Sequence, residues 1–263
     1  MELGLGGKAA LVAAASRGLG YAIAHELAAE GALVAICARG EERLREAARE
    51  IAAATGARVV PVAGDVAKPA DVSRVAATAL AELGRVDVLV TNSGGPPPGT
   101  FETTSPEAWK AAADVLLTSA VELIRAVLPG MKQRRFGRIL NVTSITVKQP
   151  VENLILSNAL RAAVTGMART LASEVAPFGV TVNNLLPGYT RTERLSELAS
   201  ATAARSGGAV SDFYERLERE IPAKRLGEPR ELAALAAFLA SERAGYVTGQ
   251  SIAVDGGWIR GLF

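Results

Sequence analysis

Short apolar runs alternate with longer amphipathic stretches along almost the whole chain. The apolar runs, rich in Val, Ala and Leu, predict strands near residues 8–14, 32–37, 57–63, 86–91, 136–143, 179–186 and 250–255. The amphipathic stretches predict helices near residues 19–30, 41–54, 69–83, 106–134, 151–176 and 228–241. Several strand runs are apolar without alternation, as expected when helices cover both faces of a parallel sheet. The pattern therefore predicts one α/β domain over residues 1–263, with a doubly wound, Rossmann-like parallel sheet and helices on both faces.

Composition and charge narrow the class of protein. A chain of 263 residues with 49% hydrophobic residues and a mean hydropathy of +0.21 can form a large aliphatic core. The net charge is +2 and no block of like charge stands out, which argues against a nucleic-acid partner. The first residues, MELGLGGK, lack the features of a signal peptide, and no apolar stretch approaches the length of a membrane span. We therefore expect a cytoplasmic location and no membrane partner.

Two residue types occur only once. Cys37 lies in the apolar run LVAIC, which predicts a buried strand residue rather than a nucleophile. His25 lies within the first predicted helix. A single histidine excludes a His-based triad or metal site, so no metal is predicted.

A glycine-containing segment, SRGLG, follows the first predicted strand and opens the first predicted helix. Small residues at such a place let the backbone approach a pyrophosphate, whose charge the helix N-terminus favours. The segment predicts dinucleotide binding by Ser16, Arg17, Gly18, Leu19 and Gly20.

Further motifs follow at regular intervals. They are LVAAASRGLG (11–20), GDV (64–66), VTNSGG (90–95), GRILNVTS (137–144), VNNLLPGYTRTE (182–193) and TGQSIAVDGG (248–257). In this order and spacing the chain resembles the short-chain dehydrogenase/reductase family, over nearly all of its length. Its overall frame is similar to that of the 3-oxoacyl-thioester reductases. The resemblance implies reduction of carbonyls or oxidation of alcohols with NAD(P).

The resemblance also implies further cofactor contacts. Asp65 and Val66 match the family's adenine contact, and Asn92, Ser93 and Gly94 match its Asn-Ala-Gly turn. The segment that holds the nicotinamide carboxamide is matched by Pro187, Gly188, Thr190 and Thr192. One departure stands at the first strand, where Ala13-Ala14 replaces the family's Thr-Gly. The methyl group of Ala14 could crowd the tight turn or merely shift it.

The choice between NAD(H) and NADP(H) is predicted from charge. NAD-specific relatives place an acid at the end of the second strand, where it binds the ribose 2′-hydroxyl. Here Ala38 stands at that place, Arg39 follows it, and Arg17 lies in the glycine loop. Two cations and no acid favour the 2′-phosphate of NADP(H). The alternative is that both arginines are solvated surface residues.

The family's catalytic residues are largely replaced. The resemblance implies Asn, Ser, Tyr and Lys at places where this chain has Leu116, Ser144, Ser157 and Arg161. All four tyrosines of the chain, Tyr21, Tyr189, Tyr214 and Tyr246, lie elsewhere. On the predicted helix, Ser157 and Arg161 are separated by one turn and face the same way. A serine hydroxyl is a far weaker acid than a tyrosine, and arginine stays protonated under ordinary conditions.

Three functions remain open on this sequence. The leading hypothesis is an NADP(H)-binding oxidoreductase for a carbonyl or alcohol substrate, with an atypical site of Ser144, Ser157 and Arg161. The second is a catalytically inactive protein that binds a dinucleotide or metabolite on the same fold. The third is a dehalogenase-like lyase without nucleotide, since halohydrin dehalogenases resemble this family and carry Arg at the Lys place.

Two expectations concern surfaces. Residues 191–222 interrupt the strand–helix alternation directly after a Pro-Gly turn, and in the family this insertion folds over the substrate as a lid. A surface excursion without a role is the alternative.

A homotetramer is also predicted, because helices 106–134 and 151–176 carry more apolar positions than one sheet face can cover, and because the terminal segment WIRGLF ends on aromatics expected to be exposed.

Overall fold

One parallel sheet of seven strands forms the centre of the molecule. The computed structural model describes residues 2–262, apart from the side chains of residues 205 and 206. The strands are β1 (Ala9–Val12), β2 (Leu33–Ala38), β3 (Val59–Ala63), β4 (Val88–Thr91), β5 (Gly137–Val142), β6 (Val180–Pro187) and β7 (Ser251–Val254). Their order is β3-β2-β1-β4-β5-β6-β7, and every neighbouring pair is parallel. The predicted Rossmann-like α/β fold is confirmed.

Helices cover both faces of the sheet. They are α1 (Gly18–Ala29), α2 (Glu41–Thr55), α3 (Pro69–Leu83), α4 (Pro106–Ala113), α5 (Ser119–Arg134), α6 (Ile155–Val175), α7 (Glu193–Ser206), α8 (Val210–Glu220) and α9 (Pro229–Ala240). One apolar cluster joins α1, α2 and α9 to the sheet, and another joins α3, α5 and α6 to its opposite face. In β1, Ala10 belongs to the first cluster and Leu11 to the second. This two-sided burial explains why the strand runs are apolar without alternation.

Two helices differ from their predicted form. The helix predicted from residue 151 begins at Ile155, because Leu154 forms a β-bridge with Gly99 and Asn153 has a φ of 59°. The helix predicted over 106–134 is interrupted by a π-helical segment, Asp114–Thr118. Such segments inside α-helices are frequent near functional sites.

The predicted lid consists of two helices with an apolar cluster of their own. Helices α7 and α8 pack through the side chains of Leu195, Ala199, Phe213, Leu217, Ile221 and Leu226. Trp258, predicted to be an exposed aromatic, is partly buried against this cluster and meets Tyr189 edge-on at 5.6 Å. That part of the prediction was wrong, and Phe263 lies outside the described residues.

The surface expected for a tetramer also differs from the prediction. The exposed large apolar residues of the described chain, Phe101, Val210, Phe238, Tyr246 and Leu262, all lie outside α4, α5 and α6. The exposed face of α6 instead carries small residues, among them Ala159, Ala162, Ala163 and Gly166. Cys37 is buried in β2, as predicted. Across residues 2–262, no helix combines the length and the apolar character that crossing a membrane requires.

Candidate cofactor and active site

A crevice opens at the carboxyl ends of β1 and β4. The order of the strands reverses between these two neighbours, and in open α/β sheets ligands bind at such a switch point. The loop after β1 leads into α1, and the loop after β4 begins with Asn92. The Asn92 side-chain amide donates to the carbonyl oxygen of Ala14 at 3.3 Å, which ties the two loops together.

The start of α1 is shaped for close approach of a phosphate group. Gly18 has a φ of +62°, in the region where glycine is favoured. A Cβ on Gly20 would collide with the carbonyl oxygen of Ala14 and lie 2.9 Å from the Asn92 amide nitrogen. No side chain among the described residues caps this helix, so the first N–H groups of α1 are free to bind an anion. These residues fit a dinucleotide pyrophosphate.

Ala14 lies in the turn after β1, at the place where the family has a glycine. Its φ is 48°, so an alanine holds a left-handed backbone conformation there. The turn is held by two hydrogen bonds: the Ala14 carbonyl accepts from the Asn92 amide, and the Ala15 N–H donates to Cys37 O at 3.0 Å. The conformation costs roughly 1–2 kcal/mol for a residue with a Cβ.

The two arginines predicted to select NADP(H) lie in different loops, Arg39 after β2 and Arg17 between β1 and α1. Arg39 directly follows Ala38, the last residue of β2, and is exposed, with no ion pair to any described residue. Arg17 forms an ion pair with Glu193 at the start of α7. No acid stands at the end of β2. Arg39 is therefore a cation without a carboxylate partner among the described residues, whereas Arg17 would have to exchange Glu193 for a phosphate.

The remaining predicted cofactor residues border the same crevice. Asp65 accepts from the Ala67 N–H at 3.1 Å and so holds the turn before α3, while Val66 packs against the core. Gly188 lies so close to β7 that a Cβ would come within 2.7 Å of Asp255 Cα. Thr192 caps α7 by accepting from the Leu195 N–H at 3.3 Å. Ser16, Leu19, Ser93, Gly94, Pro187 and Thr190 lie in the same loops.

Arg161 is fixed beneath the crevice by the end of β5. Its Nη1 donates to the carbonyl oxygens of Val142 and Thr143, each at 2.9 Å. Burial, with the nearby charge of Arg194, lowers the pKa of Arg161 to about 10. Its Nε and Nη2 have no partner among the described residues. The guanidinium therefore keeps donors available for a further oxygen atom.

The two serines of the predicted site are held differently. Ser144 lies at the end of β5, where its Oγ accepts from the Thr146 N–H at 3.1 Å, which leaves its hydroxyl proton available. Ser157 lies one helical turn before Arg161 on α6, and its hydroxyl has no hydrogen bond to a described residue. Both are partly buried.

A small cavity of about 10 Å³, the size of one water molecule, lies beside Arg161. Its lining includes Asn92, Ser93, Leu116, Ser119 and Arg161. Leu116 comes from the π-helical segment and presents an apolar side chain where the family places a polar one. Ser144 and Ser157 do not line this cavity.

A wider cavity of about 360 Å³ opens at the start of α6, and Ser157 is not among its lining residues. Its lining includes apolar Phe101, Val151 and Ile155 and the polar side chain of Asn158. Asn158 donates to Val151 O at 2.9 Å, and its own oxygen is buried without a partner in the described structure. This volume is within the range of small-molecule pockets.

Sequence reasoning missed Arg194. This residue lies in the first turn of α7, yet its Nη2 donates to Pro96 O at 3.0 Å, in the loop after β4. The only signal was its place directly after the Thr192 segment. Within the described residues, no group of three His, Cys, Asp or Glu side chains could hold a metal ion.

Comparisons with known proteins find similarity over most of the chain. A family model described as enoyl-(acyl carrier protein) reductase matches residues 13–259. The NADPH-dependent reductase BacG of Bacillus subtilis is 32% identical over 256 residues, 97% of this chain and 99% of that protein. The structure of L-sorbose reductase from Gluconobacter frateurii, complexed with NADPH and L-sorbose, is 36% identical, with a TM-score of 0.95 and complete coverage of both chains.

A further similar structure is that of an NADPH-bound short-chain oxidoreductase from Pseudomonas aeruginosa PAO1, which is described as containing an atypical catalytic center. It is 34% identical, with a TM-score of 0.88 and coverage of 97% of each chain.

Proposed function

The chain belongs to the short-chain dehydrogenase/reductase family, and on that premise we propose that it is an NADP(H)-dependent oxidoreductase for a carbonyl or alcohol substrate, with an atypical catalytic site. The observation that carries the proposal is the start of α1. There the backbone leaves free N–H groups, Gly20 lets the turn at Ala14 pack closely against the helix, and Arg17 and Arg39 supply positive charge.

NADP(H) is the proposed cofactor. The absence of an acid at Ala38 removes the usual partner of a ribose 2′-hydroxyl, while Arg39 can pair with a 2′-phosphate. The NADPH dependence of BacG and the NADPH in the L-sorbose reductase structure support the same choice. Asp65, Asn92 and Thr192 would border the bound molecule.

The proposed chemistry divides between cofactor and protein. When bound, the cofactor supplies or accepts a hydride at the substrate carbon. The Nε and Nη2 of Arg161 stabilise the negative charge that develops on the substrate oxygen, and the Ser144 hydroxyl donates a second hydrogen bond to it. The proton that completes an alcohol comes from water, because neither Ser157 nor Arg161 is an effective acid. A positioned general acid contributes about 10²–10⁴-fold in rate, so ordinary ketones should react slowly.

A second candidate function is a non-catalytic dinucleotide-binding protein. The apolar Leu116 and the lack of a tyrosine near Ser157 favour it, since both remove groups that move a proton in the family. The free N–H groups of α1 favour either nucleotide-dependent function over a nucleotide-free dehalogenase.

The accompanying proposals concern architecture. Residues 191–222 serve as a lid over the substrate, and the protein forms a homotetramer through α4, α5 and α6. The small exposed residues of α6 support close packing of a second copy. We also propose that the protein is cytoplasmic. Light scattering that gave a stable monomer at micromolar concentration would refute the tetramer.

The test of function has two parts. Titration of the purified protein with NADPH and with NADH, followed by cofactor fluorescence, should show tighter binding of NADPH. Consumption of NADPH with a panel of ketones and 3-oxoacyl thioesters then separates the two candidates. Cofactor binding with slow turnover supports the enzyme, whereas binding without any turnover supports the binding protein.

A further inference from the structure

None of the residues proposed for the cofactor or the reaction lines the wider cavity at the start of α6. Two loops frame it: residues 99–101, which follow β4, and residues 151–155, which lead into α6. The loops are joined, because the Gly99 N–H donates to Asn153 O at 2.7 Å and the Ile155 N–H donates to Gly99 O at 3.3 Å. The cavity is therefore bounded by backbone segments that hydrogen bond to each other.

One carboxylate at this cavity has no counterion. Among the described residues that line it, Glu152 alone carries a charge. Glu152 is exposed, and its side chain forms no ion pair or hydrogen bond with a described residue. The N-terminus of α6, three residues further along the chain, contributes only about half a positive charge. The lining therefore remains net negative.

An exposed aromatic ring lines the same cavity. Phe101 is 74% exposed, and it is one of the few large apolar side chains of the described chain that reach solvent in this way. Val151 and Ile155 add aliphatic surface beside it. The face of a phenyl ring attracts a cation that lies within about 6 Å of its centre. An aromatic ring, a carboxylate and aliphatic walls at one cavity together favour a cation with an apolar body.

The amide of Asn158 adds to this preference. Its orientation is fixed, because the Nδ2 donates to Val151 O at 2.9 Å and a carbonyl oxygen can only accept. The Asn158 Oδ1 is buried without a partner among the described residues. The negative end of the amide dipole beside the cavity is thus uncompensated, as the Glu152 carboxylate is.

We propose that this cavity binds the ammonium group of a small organic amine. The Glu152 carboxylate is the counterion, the Phe101 ring contacts the cation, and Val151 and Ile155 contact the apolar part of the ligand. The inference goes beyond the proposed function and does not depend on it. A free amine and an ammonium group carried by the substrate share this chemistry, and the experiment distinguishes the two sources.

The experiment compares an amine with a neutral molecule of the same shape. Benzylammonium and benzyl alcohol are titrated by calorimetry, at millimolar concentrations and neutral pH, into the intact protein. We expect the amine to bind about three- to tenfold more tightly, since an exposed ion pair and an exposed cation–π contact each contribute up to about fivefold. Glu152→Gln should remove most of this preference. Phe101→Leu, which keeps an apolar contact but removes the ring, should reduce it.

Glu102 provides a matched control. It is exposed and directly follows Phe101, but it does not line the cavity. Glu102→Gln changes the net charge by the same amount as Glu152→Gln and should leave the preference for the amine unchanged. Equal binding of amine and alcohol, or an equal loss of preference in both glutamine variants, would overturn the proposal. So would the absence of benzylammonium binding, which is the result expected if a second copy of the chain covers the cavity.

Steady-state kinetics separate the two sources of the ammonium group. If the substrate carries it, para-(aminomethyl)acetophenone should have a lower KM than para-(hydroxymethyl)acetophenone, and benzylammonium should raise the KM of the amino ketone. If a separate amine is the ligand, benzylammonium should bind and leave both KM values unchanged. Failure of NADPH to bind contradicts the proposed function instead, and the titrations of the free protein still decide the ammonium site.

Discussion

Arg17 in the glycine loop forms an ion pair with Glu193, the first residue of α7 in the segment proposed to act as a lid. Both side chains are about 60% exposed, so the pair contributes roughly 0–1 kcal/mol. A contact this weak is readily exchanged for a stronger one. The residue that is proposed to meet the cofactor phosphate is therefore also the residue that touches the lid.

The Arg17–Glu193 pair predicts a measurable effect on cofactor binding. Glu193→Gln removes the carboxylate that competes with a phosphate for Arg17, so NADPH should bind about two- to fivefold more tightly, within the energy of an exposed ion pair. Fluorescence titration measures the affinity. Glu197→Gln, one turn further along α7, is the control and should leave NADPH binding unchanged. Weaker binding in Glu193→Gln would show that the acid assists the cofactor.

Arg39 should determine the preference for NADPH over NADH. Arg39→Ala removes a cation that is expected to form charge-assisted bonds with the 2′-phosphate, and NADPH affinity should fall about tenfold or more. NADH affinity should stay nearly constant because it lacks that phosphate. Arg45→Ala, on the exposed surface of α2 where Arg45 pairs with Glu41, is the control. An unchanged ratio of the two affinities would show that Arg39 is a solvated bystander.

Restoring the family's acid should raise the rate of carbonyl reduction. We expect Ser157→Tyr with Arg161→Lys to reduce 3-oxoacyl thioesters about 10–10³-fold faster than the native protein, because a phenol beside an ammonium can deliver a proton. Ser157→Tyr alone should do less, since a guanidinium spreads its charge. Steady-state oxidation of NADPH measures both rates. The apolar Leu116 limits the gain, and Leu116→Asn added to the pair should increase it further.

If the native protein already turns over such substrates at about 1–10³ per second, the account of its site is wrong. Another group, such as Ser144 acting through a water molecule, would then supply the proton.

Ala14→Gly should stabilise the protein slightly. The left-handed backbone at position 14 costs an alanine roughly 1–2 kcal/mol. Glycine removes that cost but gives the unfolded chain about 0.4–1 kcal/mol of additional entropy. The net gain in the free energy of unfolding is therefore roughly 0.8 kcal/mol, measured by urea denaturation. Ala10→Gly, in the buried centre of β1, should destabilise, which separates the backbone effect at position 14 from a general effect of glycine.

The sheet and the cofactor crevice followed closely from the sequence. Apolar runs of fixed length separated by amphipathic stretches leave few alternatives to a parallel sheet, and the observed strands deviate by only a few residues at their ends. The glycine loop was predictable because its chemistry is local: strand, turn and helix start lie within Ala9–Ala29.

Contacts between distant residues were not predictable from the sequence. The start of α6 depends on a bridge between Leu154 and Gly99, and the burial of Trp258 depends on Tyr189. From the sequence alone, Arg194 is expected to be an ordinary surface arginine of an amphipathic helix. Its inward position requires an acceptor 98 residues earlier in the chain and a glycine beside it. No local pattern encodes either condition.

The separate apolar cluster of α7 and α8 has a consequence for how such a protein can change over generations. Leu195, Phe213 and Leu217 pack mainly against one another and not against the sheet. Substitutions in this segment can therefore alter what the crevice admits without altering the core that stabilises the fold. The two tasks, stabilising the sheet and choosing a reactant, are carried by parts that can diverge independently. A hybrid in which a relative's segment replaced residues 194–222 would keep Thr192 and Glu193 of this chain at the cofactor crevice, and is expected to take its reactant from the other parent.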